Sequence, residues 1–201
     1  MTTRVDICNR ALARIAELPI QSEEAEGAAP VLSAYDDQLD ILLGLNRWSF
    51  ATKTAPLSRL AAAPTGPWDY AFQLPGDRLQ APDAIYDSAD WSLPFKLWEL
   101  VGDTIESDAT ALWARYRFVP SPLDWQPLFR QCVILAIAAH LAVAMKEDIK
   151  SSQYYLSLLD GDPRFPGDLG LLARAKAADA MAHPSPTLTA GDPGPLITTR
   201  Y

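Results

Sequence analysis

Histidine and cysteine are nearly absent from this chain, with two of each in 201 residues. The scarcity removes whole classes of chemistry. Cys8 and Cys132 lie far apart in helix-like apolar patterns, with no CxxC pair to hold a metal or a redox disulfide. They read as two small buried hydrophobes. His140 sits inside an apolar run without an HExxH partner, and His183 follows the last helical pattern; both read as ordinary core, interface or surface residues. GxSxG, GxxxxGK followed by Ser or Thr, and GxGxxG are all missing. The nucleophile elbow, the phosphate loop and the dinucleotide fingerprint go with them.

Positive charge is also in short supply. The 17 Lys and Arg against 25 Asp and Glu leave a net −8, the wrong sign for a surface that grips phosphates by counterion release. A surface that lets nucleic acid slide past remains compatible. The N-terminus carries no apolar signal segment, and the longest apolar run, 132–145, is shorter than the ~20 residues that cross a bilayer. A soluble protein made in a reducing cytoplasm, with no membrane partner and no cofactor, is expected. No internal repeat is present.

What is abundant is apolar and aromatic. A hydrophobic share of 49% with six Trp marks a folded chain. Thr3 is placed to cap a first helix with Asp6 as its third residue, and Val5, Cys8, Leu12 and Ile15 recur at helical spacing. Leu18-Pro19 closes that element. Glu23, Glu24 and Glu26 precede a second helix whose stripe is Val31, Tyr35, Leu39, Leu42 and Asn46, and whose outer side carries Asp36, Asp37 and Asp40. From residue 61 to about 119 prolines punctuate short runs. Those around Trp68 to Leu74, Phe95 to Leu100, Asp103 to Glu106 and Ala111 to Phe118 read as strands. Pro127 opens a third helix, apolar on all sides over 132–145, which later helices or a neighbouring subunit must cover. A shorter helix follows the break at Lys146-Glu147-Asp148, and Asp168 caps a last one ending at Ala182. The tail from His183 has four prolines, two glycines and no helical period.

The expected fold is therefore α+β: mainly an α-helical bundle (1–60 and 120–182) with an inserted small antiparallel β-sheet subdomain (61–119) and an extended C-terminal arm (183–201). Carboxylates are the remaining catalytic candidates. Asp36, Asp37 and Asp40, or Asp83, Asp87 and Asp90, could pair for acid/base work or hold a hard cation, as in a metal-assisted tail-associated hydrolase. Solvated faces and turns are the plainer account of both groups. The Trp residues could stack on sugars, making the insertion a carbohydrate-binding module, or simply fill a small sheet core. Core filling is the preferred reading, and no enzyme is expected.

Five stretches occur in an order that resembles one family. "ICNRALARIAELPIQS", a second helix ending in "RWSFATKTAPL", "WDYAFQLPGDRL", "YRFV" and "PLFRQCVILAIAAHLAVAM" are similar to the bacteriophage head-to-tail adaptor (connector) family, which includes the tail tubular protein A of short-tailed phages. The most specific parts are Trp48-Ser49-Phe50-Ala51, the motif from Tyr70 to Leu79, and Pro127-Leu128-Phe129. The resemblance implies a structural virion protein at the head–tail junction, forming a homo-oligomeric ring, expected to be dodecameric. Such a ring would dock on a portal protein, meet a downstream tail or stopper protein and let genomic double-stranded DNA pass. On that reading Asp36, Asp37 and Asp40 line the channel, Trp48 and Phe50 anchor the second helix in the bundle, and Leu196, Ile197 and Tyr201 dock the arm on the portal. The stretch "LLDGDPRFPGDLG" and the Pro-rich arm depart from the family's pattern.

Overall fold

The computed structural model describes residues 3–91, 93–162, 164–165 and 167–182. Among the described residues, five α-helices and seven short strands follow one another. Helix α1 (Arg4–Arg14) starts on a capping box: Thr3 Oγ1 accepts from the Asp6 amide and the Asp6 carboxylate accepts from the Thr3 amide. These bonds hold the Asp6 carboxyl below its usual range. The helix ends earlier than Leu18-Pro19 suggests, because Ala16 turns to φ 55°. The Asn9 side chain then pins the returning loop through both polar groups of Ile20.

Helix α2 (Ala28–Gly44) begins after Gly27, whose φ of 80° serves as the turn into the helix. Helix α3 (Pro127–Lys146) is long and apolar enough to cross a membrane, yet 61% of its apolar window is buried inside the bundle. Its cover comes from the same chain: α1, α2, α4 (Ile149–Asp160) and α5 (Gly170–Ala182) all pack on it. Every residue from Cys132 to Ala139 is buried, as are Leu141 and Ala142. Of the two possible covers, the later helices are the one this fold uses, and no second subunit is needed for that stretch. Glu147, at φ 52°, ends α3, and Asp148 caps α4 by accepting from the Ser151 amide and hydroxyl. Gly161 and Gly170 clamp the loop before α5. A Cβ on Gly161 would sit 2.0 Å from the Asp168 carbonyl oxygen, and one on Gly170 would lie 2.3 Å from the Gly161 nitrogen.

The fold is α+β, as the alternation of helical and extended patterns implies. The strands form two antiparallel sheets, β1-β7-β4 and β2-β3-β6-β5. They are β1 (Thr52–Pro56), β2 (Ser58–Arg59), β3 (Tyr70–Gln73), β4 (Ala84–Tyr86), β5 (Glu99–Val101), β6 (Thr104–Ser107) and β7 (Trp113–Arg117). The β structure thus starts at Thr52, nine residues ahead of the expected boundary at 61. Pro56 is tolerated in this strand because β1 is a sheet edge, where a missing N–H breaks no interior ladder. Phe95 and Leu100 also divide, since Phe95 bridges to Ile85 of the first sheet while β5 joins the second. The chain crosses between sheets at Leu57, whose amide donates to the Leu112 carbonyl at 2.8 Å. Between the sheets lies a second core of Leu57, Phe72, Leu74, Ile85, Ile105, Leu112, Ala114 and Tyr116.

Both cysteines are buried in the helical core. Burial pushes the Cys8 thiol up to about 11 and the Cys132 thiol up to about 12. Thiolate is the reactive species. Neither thiol should therefore react with a disulfide reagent in the native protein at pH 8, and both should react once denaturant unfolds it. Native-state labelling faster than global opening would contradict this packing.

Candidate functional site

The segment Arg47-Trp48-Ser49-Phe50 joins the bundle to the sheets, and three sets of contacts converge on it. Trp48 is completely buried and donates its Nε1–H to the Leu42 carbonyl at 2.8 Å, closing the end of α2. Its ring meets Phe129 edge-on at 4.8 Å between centroids. Phe50 and Trp125 stand 5.0 and 5.4 Å from the same Phe129. These rings fill the volume between α2 and the start of α3, in edge and tilted geometries that favour aromatic pairs. The structure thus puts Trp48 and Phe50 in the bundle wall, each in ring contact with Phe129.

Ser49 faces the other way, toward α5. Its amide and hydroxyl donate to Asp179, the hydroxyl at 2.6 Å, and Gln126 Nε2 donates to the same carboxylate at 2.8 Å. Asp179 is buried at 4% exposure. Leu172, Ala175 and Asp179 fall at spacings of three and four on one buried stripe of α5. A carboxylate on an otherwise apolar stripe was the available signal for this hub, which sequence reasoning passed over.

A third knot joins the sheets to the end of α2. Arg117 on β7 donates to the Gly44 carbonyl at 3.0 Å and to Asp83 at 3.2 Å, while Arg47 reaches Asp83 at 3.2 Å. The guanidinium of Arg117 meets the negative end of the helix dipole and a nearly buried carboxylate together. Asp83 is therefore a structural counter-ion. Asp87 stands exposed beyond it, and Asp90 accepts from Ser88 at 2.5 Å. The trio Asp83, Asp87 and Asp90 does not converge on one point, and among the described residues no group of three or more His, Cys, Asp or Glu is arranged to hold a metal ion.

The acids of α2 are exposed, and they are not equivalent. Asp36 pairs with Arg4 at 2.5 Å, and Arg4 also holds Glu23 at 3.1 Å. Asp37 and Asp40 face solvent on the same helix. Asp40 lies on the rim of a shallow cleft of about 370 Å³ shared with Tyr35, Leu39, Val119 and Pro122. Among the Trp residues, Trp68 donates to Glu99 and Trp98 donates to the Phe95 carbonyl, so both indole N–H groups are used inside the sheet module. His140 is exposed on α3 beside a groove shared with Gln38, Val143 and Leu156. Leu196, Ile197 and Tyr201, together with His183, lie outside the described residues.

No protein-family model and no curated protein matches the sequence. The junction itself is built to join parts: aromatic packing, one buried carboxylate and one arginine fork lock helices and sheets together.

Removing Asp83 leaves Arg117, 14% exposed, without its counter-ion. Asp83→Ala should cost about 3 kcal/mol in urea unfolding, while Asp87→Ala should stay within ~0.5 kcal/mol. A small pH effect belongs to Asp77, in the turn that follows β3. Its carboxyl is held below the usual range first by the Lys53 ammonium and also by the Tyr116 hydroxyl. A lowered carboxyl stabilises the fold above its unfolded value of ~3.9 and loses that contribution as pH falls through the folded value. Wild type should therefore lose slightly more stability than Lys53→Met below about pH 4, by less than ~1 kcal/mol for so exposed a pair, measured by denaturation at pH 6 and pH 3.

Proposed function

We propose that this chain is a ring-forming structural subunit of a bacteriophage head-to-tail adaptor, seated under a portal at the head–tail junction. The observation that carries the reading is an apolar surface left on the outside of a well-covered bundle. Helix α4 buries only Ser152 and Leu159, while Ile149, Tyr154, Leu156 and Leu158 are 40–61% exposed. Val143 and Met145 at the end of α3 are exposed too. A helix with more apolar side chains outside than inside is unusual for a lone subunit and usual for an interface.

A closed ring requires two unlike patches that meet head to tail. A second patch is present at the C-terminal end of α2, where Ile41 and the capping residue Leu45 are 55% and 52% exposed, one helical turn apart. Further support comes from the order of the five motifs and from the position of Trp48, Phe50 and Phe129, which are among the residues that carry the resemblance. The β module then faces the next tail component, and a dodecameric ring is the form that the resemblance implies.

In this reading DNA passes without sticking because acids repel its phosphates. Asp36 is largely neutralised by Arg4, so the charge that matters is on Asp37 and Asp40. The function is mechanical and electrostatic, with no bond made or broken.

Tyr154→Glu combined with Leu158→Glu should leave the melting temperature within about 4 °C, since exposed substitutions cost ~0.5 kcal/mol each. The same pair should abolish ring formation on purified portals in electron micrographs. Wild-type rings from this variant would refute the α4 interface. Asp37→Lys with Asp40→Lys should permit rings but impair DNA delivery by assembled particles, and normal delivery would remove these acids from the channel.

A further inference from the structure

A groove of about 390 Å³ runs where α1, α3, α4 and α5 meet, on the side of the bundle that includes Arg14 and Arg174. Its floor is apolar, formed by Leu135, Leu158 and Leu171. Arg14 donates to Gln131 at 3.3 Å, and Arg174 is exposed and makes no hydrogen bond or ion pair among the described residues. The acid in the lining, Asp168, is already engaged by the Gly170 and Asp162 amides. The groove therefore offers two cations and an apolar strip to a ligand with an acid beside aliphatic side chains.

The chain holds such a sequence. Residues 183–201 contain one acid, Asp192, followed four and five positions later by Leu196 and Ile197. The reach is sufficient. Arg174 is eight residues back along α5 from Ala182, about 12 Å at 1.5 Å per residue, whereas Asp192 is ten residues beyond Ala182, up to ~33 Å of extended chain.

We propose that in the free subunit residues 192–197 fold back over α5 and occupy this groove, with Asp192 between Arg14 and Arg174 and with Leu196 and Ile197 on the leucine floor. The occupant is the subunit's own tail. Tethering supplies a high effective concentration, so a short motif suffices where a free peptide would bind weakly. The docked tail covers Leu158, one of the exposed residues of α4, and so shields part of the surface assigned above to the neighbouring subunit. Assembly then requires the tail to leave.

The buried native thiols make cysteine trapping clean in the full-length chain. With Leu158→Cys and Leu196→Cys together, mild oxidation should give an internally bridged monomer on the order of tenfold faster than with Ile41→Cys and Leu196→Cys, whose first site lies on α2. Arg174→Glu should slow the bridge about fivefold, and Asp192→Lys added to it should restore the rate, as expected for an ion pair of ~1 kcal/mol. Equal rates in the two cysteine pairs, disulfide-linked dimers instead of monomers, or indifference to both charge reversals would overturn the proposal. If Leu158→Cys fails to fold, Leu171→Cys serves as the groove site. No portal enters this experiment, so its failure leaves the ring reading intact, and rings that assemble do not rescue it.

Discussion

One helix that is apolar on every side sets the terms for this molecule. α3 presents no polar face over residues 132–139, so water must be excluded around its whole circumference, at roughly 25 cal/mol for each Å² covered. A helical pair cannot do this. Two helices before α3 and two after it are needed, and the order of the chain follows from that need. The β module is inserted between α2 and α3, where it leaves the packed faces of both helices undisturbed. The cover gives out toward the end of α3, where His140, Val143 and Met145 are exposed.

The insertion creates a second requirement, because a module attached by two chain crossings swings unless something holds it. Phe129 at the start of α3 and Trp48 at the end of α2 meet face to edge across those crossings. The Arg117–Asp83–Arg47 set ties the first sheet to the same place through the last carbonyls of α2. Asp179 brings α5 to it as well. Rigidity of this kind is what the proposed connector role calls for, and the motif Trp48-Ser49-Phe50-Ala51 falls on a connection and not on a cleft.

The helices were largely legible in the linear pattern because helix signals are local. Thr3 with Asp6, Pro127 at a first turn, Glu147-Asp148 as a break and the three-four spacing of α1 all act within a few residues. The strands were less legible. β2 has two residues and β4 has three, too few for any alternation to declare itself, and β1 carries a proline that only its edge position excuses. The site divided in the same way. Trp48 and Phe50 stood out by composition, whereas Ser49 and Asp179 are 130 residues apart and Arg47 and Asp83 are 36 apart, separations at which no sequence window reports a contact.

Sequence alone determined the class of the fold, the caps and breaks of its helices, the inert cysteines and the excess of acid, because each depends on a residue and its near neighbours. The tertiary structure decided what covers α3, which of the α2 acids keeps its charge unpaired, and which apolar residues of α4 are left outside. Those outcomes depend on which distant side chains compete for one surface or one counter-ion, and that competition is resolved only when the chain is folded in three dimensions.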